Sequence, residues 1–461
     1  MGINREIKTL DALLAKITDI VCCNENQTPD ENSFVAWLNP GLPFQSDDFQ
    51  FIKNPMASNE ATDAAESFSN QVNAVPTSAN GIFTPSSANL HQIYQKVLEK
   101  SKVQKDVITE EEEARIEKLR AKLVERVKRT NIITDEEEEV IEDSALTKAY
   151  NEYMEAYESA LLAYNAKRIS AINGDPQAVQ DFALNGNLYK KSVTNAMNNW
   201  ISKGYKKDYE AVAAYLQQVM SRSAAMHKAR LKENLEDSYL KAATSGQSFP
   251  FTQFYPSHFM DSDNGWTDFS FTSTERDQME KESHSETTAS VGFQKGLFSG
   301  SADASYGKDE KHVNIEGADF SMKFKIAQVF ISRPWFSLDF LLNNSWDWDE
   351  KNPLSDGEKP VPQGQMIGFP TSAIFVKDVE IKSSSIKQTF DEVEKKLSAG
   401  GSIGWGPFRL GAKHNSSSKE THTTFDEKTG TMKIEGMQLL AYKCFRMPKT
   451  PDCKVSPDNL I

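Results

Sequence analysis

The sequence predicts an α+β protein: an elongated antiparallel helical bundle followed by a β-rich domain built from two similar strand-hairpin-strand units. Three observations predict it. Residues 88–242 keep a helical period with almost no proline, apolar and polar residues alternate from Gly246 onward, and two stretches beyond Trp266 repeat one pattern. We expect three parts: an N-terminal amphipathic helix, short strand and Ser/Asn/Pro-rich linker (1–87), a long helical bundle (88–245), and a duplicated β-rich domain (246–461) with units at about 266–334 and 376–448.

Ile3, Ile7, Leu10, Leu13, Leu14, Ile17, Ile20 and Val21 recur at helical spacing, with Glu6, Lys8, Asp11 and Asp19 between them. That is an amphipathic helix rather than a signal peptide, and no apolar run approaches the roughly 20 residues of a spanning helix. We therefore expect a chain made as a soluble protein, cytoplasmic or released by a non-classical route. Phe34 to Leu38 reads as a strand entering the turn Asn39-Pro40-Gly41, and Asn54 to Ser87, rich in Ser, Asn, Ala, Thr and Pro, reads as a linker.

In the helical part, Thr109 with Glu112 has capping-box spacing, and Thr134-Asp135 opens a further helix expected to run to about Ile172. Tyr150, Tyr153, Tyr157, Leu161 and Tyr164 line one face of it, spacing that suits interhelical packing. A last long helix is expected from about Lys206 to Ala243.

The repeat carries most of the information. Met322-Lys323-Phe324 with Gln328-Val329-Phe330 matches Met432-Lys433-Ile434 with Gln438-Leu439-Leu440 in the same register, and each closing strand reaches an Arg shortly before a Pro. Upstream, Phe269-Ser270-Phe271 corresponds to Val379-Glu380-Ile381. Between the paired stretches lie two glycine-rich segments of sharp alternation, one with Ala289, Val291, Phe293, Leu297 and Phe298, the other with Leu397, Ile403, Trp405, Phe408 and Leu410. Both read as β-hairpins with one apolar and one polar face, free to serve neighbouring copies as well as their own core. This strand, insertion, strand order, met twice between 266 and 448, resembles the architecture of perforin-like and cholesterol-dependent pore formers, although that family's glycine-rich signature is absent.

Between the units, Pro334-Trp335-Phe336 and Trp346-Asp347-Trp348 form an aromatic cluster. Trp335, Phe336, Trp346 and Trp348 are candidate interface residues or a carbohydrate platform, set against plain packing over the sheet.

A net charge of −14 with no basic stripe argues against nucleic acid as a partner. Seven histidines show no metalloenzyme spacing, the four cysteines no Cys-x-x-Cys, and a nucleophile elbow, a phosphate loop and a dinucleotide fingerprint are all absent. The chain is thus expected to be no enzyme, with no catalytic or metal-ligating residues and no cofactor. The leading expectation is a self-assembling, membrane-acting homo-oligomer, pore-forming toxin-like, whose two hairpins contribute to an oligomeric β-barrel in a lipid membrane. The alternative is a structural protein assembling into a filament, tube or lattice. A third is a carbohydrate-binding or adhesion module resting on the Trp cluster.

Overall fold

The computed structural model describes residues 3–22, 30–52, 54–79, 81–105, 110–130, 137–172, 176–220, 224–256, 259–260, 265–281, 297–300, 319–359, 362–398, 402–412 and 422–461. It contains both helices and antiparallel sheet, so the α+β class holds. The chain divides into two compact units, each assembled from separated stretches. One comprises 1–94, 238–335 and 351–450, the other 95–237, 336–350 and 451–461.

The first unit is organised by a seven-stranded antiparallel sheet. Its strands are β1 (Ser33–Phe44), β2 (Gln253–Tyr255), β3 (Thr267–Thr272), β5 (Ser321–Ser332), β6 (Gly368–Lys382), β9 (His422–Asp426) and β10 (Thr431–Arg446); the intervening β4 (Leu297–Gly300), β7 (Ser402–Trp405) and β8 (Phe408–Ala412) form a separate small sheet. The order is β1-β10-β6-β5-β3, with β9 alongside β10 and β2 alongside β5. Its core lies on opposite faces at the two ends of the strands. In β5, Met322, Phe324 and Ile326 enter one apolar cluster while Ala327, Val329 and Ile331 enter the other. A strand alternates with period two, so this change of parity turns the buried face over partway along the sheet.

Helix α1 (Ile3–Cys22) covers the face of the first cluster with Leu10, Leu13, Leu14, Ile17 and Val21. Each such side chain contributes roughly 1.5–3 kcal/mol on leaving water. Helix α2 (Asn59–Val72) covers the other face with Ala65, Phe68 and Val72. The segment 54–87, expected to be a linker, therefore contains a helix. Ser58 caps it by accepting from the Ala61 amide, and its small residues let Phe68 approach Phe254 at 4.6 Å.

The second unit is largely helical. Helices Ala145–Ile172 and Pro176–Ser202 run antiparallel, Lys167 meeting Asp181 near one end while Tyr150 and Tyr157 pack on Trp200 near the other. The helix expected to begin at Thr134 starts instead at Ala145. Before it, Val124–Thr130 and Glu137–Asp143 form an antiparallel hairpin whose register sets Lys128 opposite Glu139 and Arg129 opposite Glu138. Ser144 then caps the helix through the Thr147 amide. Of the long helix expected over 206–243, Lys206–Met220 and Ala224–Asp237 are helical, and the chain has turned to strand by Tyr239–Lys241. Among the described residues no helix is long and apolar enough to cross a membrane.

Candidate functional site: two inserts at one end of the sheet

Four strand ends form a row. Thr272 of β3 is opposite Ser321 of β5, Ser321 is opposite Lys382 of β6, and Ile381 of β6 is opposite Met432 of β10. The chain leaves the sheet at this end after β3 and after β6, and the stretches that lead to β5 and β10, 273–320 and 383–430, are equal in length, the second returning to the sheet first as β9 beside β10. The two places also share their pairing. Phe269 faces Phe324 and Phe271 faces Met322 across β3 and β5; Val379 faces Ile434 and Ile381 faces Met432 across β6 and β10. All eight are buried in the cluster beneath α1.

Each insert opens with a helix, α3 (Ser273–Lys281) or α4 (Ile386–Ser398). The start of α3 is fixed by Glu275, whose carboxylate accepts from the Thr272 amide and hydroxyl, and by the Ser273 amide donating to Phe320. Ile386 and Val393 of α4 face the same cluster as α1. At the roots the inserts are joined, for the Ser384 amide donates to the Asp319 carboxylate at 2.9 Å and holds that acid below the usual carboxylate range. Further out they share a sheet: β4 of the first insert pairs with β7 of the second, Leu297 opposite Trp405 and Gly300 opposite Ser402, and β7 pairs with β8.

Of the candidate hairpin residues, Ala289, Val291 and Phe293 lie outside the described residues. Leu297 and Phe298 belong to β4. Ile403, Trp405, Phe408 and Leu410 do share one face of a hairpin turning at Gly406-Pro407, but that face is no open greasy surface. All four are 2% exposed or less, buried in the chain's own core against α1, α4 and the central sheet. Leu397, expected in the first strand of that hairpin, belongs instead to α4. An apolar ribbon of this kind finds a partner wherever one is at hand, and the amphipathic α1 supplies it.

Side chains outside the expected set hold this arrangement closed. Lys16 of α1 donates to the Ser270 carbonyl and to Glu275 Oε1, both at 2.7 Å, with its ammonium 4.8 Å from the Phe269 ring centre. Arg276 of α3 reaches the Thr9 hydroxyl at 3.5 Å. The hairpin turn is pinned to β1, where the Gly41 amide donates to the Pro407 carbonyl at 2.7 Å and Arg409 Nε donates to the Gly41 carbonyl. Behind it the buried Gln438 accepts from the Arg409 amide and donates to the Arg409 carbonyl, replacing a ladder partner. Such long-range pairings leave no local pattern; the one sequence signal is the glycine at positions 41 and 406.

The candidate interface aromatics are packed inside their own units. Trp335 is buried, donates from Nε1 to the Phe251 carbonyl and stands against His91 and Tyr94. Trp346 and Trp348 are also buried, Trp346 stacking on Phe340 and donating to the Leu341 carbonyl, while Phe336 is half-buried. None of the three tryptophans offers the open ring face that a sugar platform needs.

Cys22, Cys444 and Cys453 are thiols, and burial pushes the Cys444 thiol well up. Among the described residues no three of His, Cys, Asp or Glu converge as a metal site. No protein-family model, no curated protein and no solved structure matches the chain.

Proposed function

We propose that this chain is a non-enzymatic, self-associating, membrane-acting protein, stored in a closed form and converted to a pore-forming one by release of its two inserts. The observation that carries the reading is the paired departure of two equal inserts from one end of an antiparallel sheet, each between neighbouring strands. An insert placed there can continue both flanking strands outward as a hairpin while β3, β5, β6 and β10 stay paired behind it, the second insert giving up only the pairing of β9 with β10. Each is long enough for two strands of roughly 9 to 11 residues, the span of a bilayer, and a turn.

In this reading the twin pairings, Phe271 with Met322 and Ile381 with Met432, are the roots of two similar strand-hairpin-strand units. The helical part is the antiparallel bundle that accompanies them. Helix α1 is the cover: it shields the apolar ribbon until a membrane or neighbouring copies replace it. The freed hairpins of several copies then close a barrel, the arrangement that satisfies every strand edge in lipid.

Dye release from vesicles tests this. A Lys16→Cys/Glu275→Cys variant in a Cys453→Ser background, bridged by a reducible thiol-to-thiol cross-linker, should bind vesicles but release no dye, and reduction should restore release to the unbridged level. Equal release with the bridge intact, or no release and no rings by electron microscopy on vesicles of bacterial or eukaryotic lipid, would remove the reading. A second reading, assembly into a filament or lattice without lipid, draws on helix Pro176–Ser202, which exposes Val179, Leu184 and Leu188. Ordered polymers forming in the absence of membrane would favour it.

A further inference from the structure

We propose that the outer face of helix Pro176–Ser202 pairs with the same face of a second copy of this chain, the two helices running antiparallel about a two-fold axis near residue 186. The helix packs inward on Ala145–Ile172, Phe182 meeting Tyr164 and Trp200 meeting Tyr157. Away from that contact Gln177, Gln180, Leu184, Leu188, Lys191 and Asn195 follow one another at three- and four-residue spacing, and all six are exposed. Leu184 is 73% and Leu188 62% exposed, about one turn apart. Within the helix only Asp181, Lys190 and Lys191 are charged among 27 residues, whereas charged residues make up 26% of the chain. Asp181 is engaged by Asn185, Tyr189 and Lys167. A helix face that stays in water normally carries charge. This one carries two leucines among uncharged amides, the composition of an interface centre.

The stripe is complementary to itself. Leucines stand at its middle, two amides lie toward the N-terminus, and a lysine and an amide lie toward the C-terminus. Turned end over end about residue 186, Leu184 of one copy lies over Leu188 of the partner subunit, Gln180 beside Lys191 of the partner subunit and Gln177 beside Asn195 of the partner subunit, each contact occurring twice. The two copies of Lys191 then stand about 15 Å apart along the axis, beyond the roughly 8 Å over which charge acts at physiological salt. Parallel helices would instead set Lys191 against its own copy, a like-charge contact. The chain carries a net charge of −14, so copies repel one another over most of their surface, and a nearly neutral face is where two can meet. The stripe is about 27 Å long and one helix wide, so pairing covers less than the roughly 800 Å² per partner of a standard stable complex. Association is therefore weak, on the order of micromolar, and it closes at two copies; a filament would need a further surface.

Analytical ultracentrifugation of the full chain in lipid-free buffer tests this. Between about 1 and 100 μM, monomer should give way to dimer and to nothing larger. Leu184→Glu/Leu188→Glu should raise the dissociation constant at least about tenfold. Both positions are exposed and glutamate suits a helix as well as leucine does, so this variant should melt with the wild type at high dilution, which separates lost pairing from lost folding. Oxidation of single-cysteine variants in a Cys23→Ser/Cys453→Ser background reads the direction: Gln177→Cys and Asn195→Cys, mixed, should cross-link to each other in preference to either with itself. Monomer throughout the range, pairing undiminished in Leu184→Glu/Leu188→Glu, a series extending past two copies, or an excess of same-residue cross-links would overturn the pairing. It rests on neither reading of function above and stands whether or not vesicles leak.

Discussion

Leu10 of α1 occupies the space above Gly406 so closely that a Cβ on that glycine would lie 2.6 Å from the leucine Cδ1 atom. Gly406 also has a φ of +55°, in the left-handed region that side chains disfavour. Gly406→Ala should therefore lower stability by about 1–3 kcal/mol, read from the urea midpoint at unchanged slope. In a Leu10→Ala background the same change should cost less, because the clash is relieved and only the backbone strain remains. Strictly additive losses would show that α1 does not sit on the turn.

Trp405 reports on whether the ribbon face is core. Buried at 2% exposure between Phe320 and Phe408, it should cost about 3–5 kcal/mol when changed to Ala. A tryptophan on a free, solvent-facing ribbon would cost well under 1 kcal/mol. Chemical denaturation distinguishes the two.

His91 gives the fold a dependence on acid. Packed against Trp335 and Tyr239, with Nδ1 lacking a partner, it is pushed by burial from the ordinary imidazole value of 6.5 down to about 4. The unfolded chain then takes up this proton before the native one does. Stability from this residue is whole above about pH 6.5, declines as pH falls toward about 4, and is lower by about 3 kcal/mol beneath that. His91→Phe should flatten that part of the profile in urea titrations between pH 7 and 4. An unchanged slope would mean that the imidazole already protonates in the native state.

Arg333 is a half-buried cation whose acceptors among the described residues are all neutral. Its guanidinium donates to the Asn73 side chain at 2.6 Å and to the Val72 and Pro370 carbonyls at 2.7 Å, and burial brings it down to about 9. It thereby joins the end of β5 to the C-terminus of α2, where exposed helix carbonyls favour a cation. Arg333→Lys should lose about 2–4 kcal/mol, since one ammonium cannot reach all three acceptors in the fork's plane. A loss below about 0.5 kcal/mol in a thermal or urea melt would show that the three bonds carry little.

Local pattern made part of this architecture legible. The 3.6-residue spacing from Leu10 to Val21 marked the buried face of α1, and the period-two run from Phe408 to Leu410 marked the face that goes inward. The repeat aligned Phe271 with Ile381 and Met322 with Met432, residues that pair in the same way in the sheet. What covers an apolar face was not legible, because Ile403 and Leu13 are far apart in sequence and amphipathicity names a need rather than a partner. Composition misled at 59–72, where Ala and Ser suggested a linker yet Ala65 and Phe68 pack tightly. It misled again at 124–143, where charge density resembled helix ends, whereas β-branched Val124, Val127, Val140 and Ile141 belong to strands.

The pairing of Leu297–Gly300 with Ser402–Trp405 has a kinetic meaning. Neither arm can be withdrawn alone without stripping backbone bonds from the other, and the Asp319 carboxylate adds a second tie near their base. Half-released molecules should therefore be scarce, and any opening of this end of the protein should proceed as one all-or-none event.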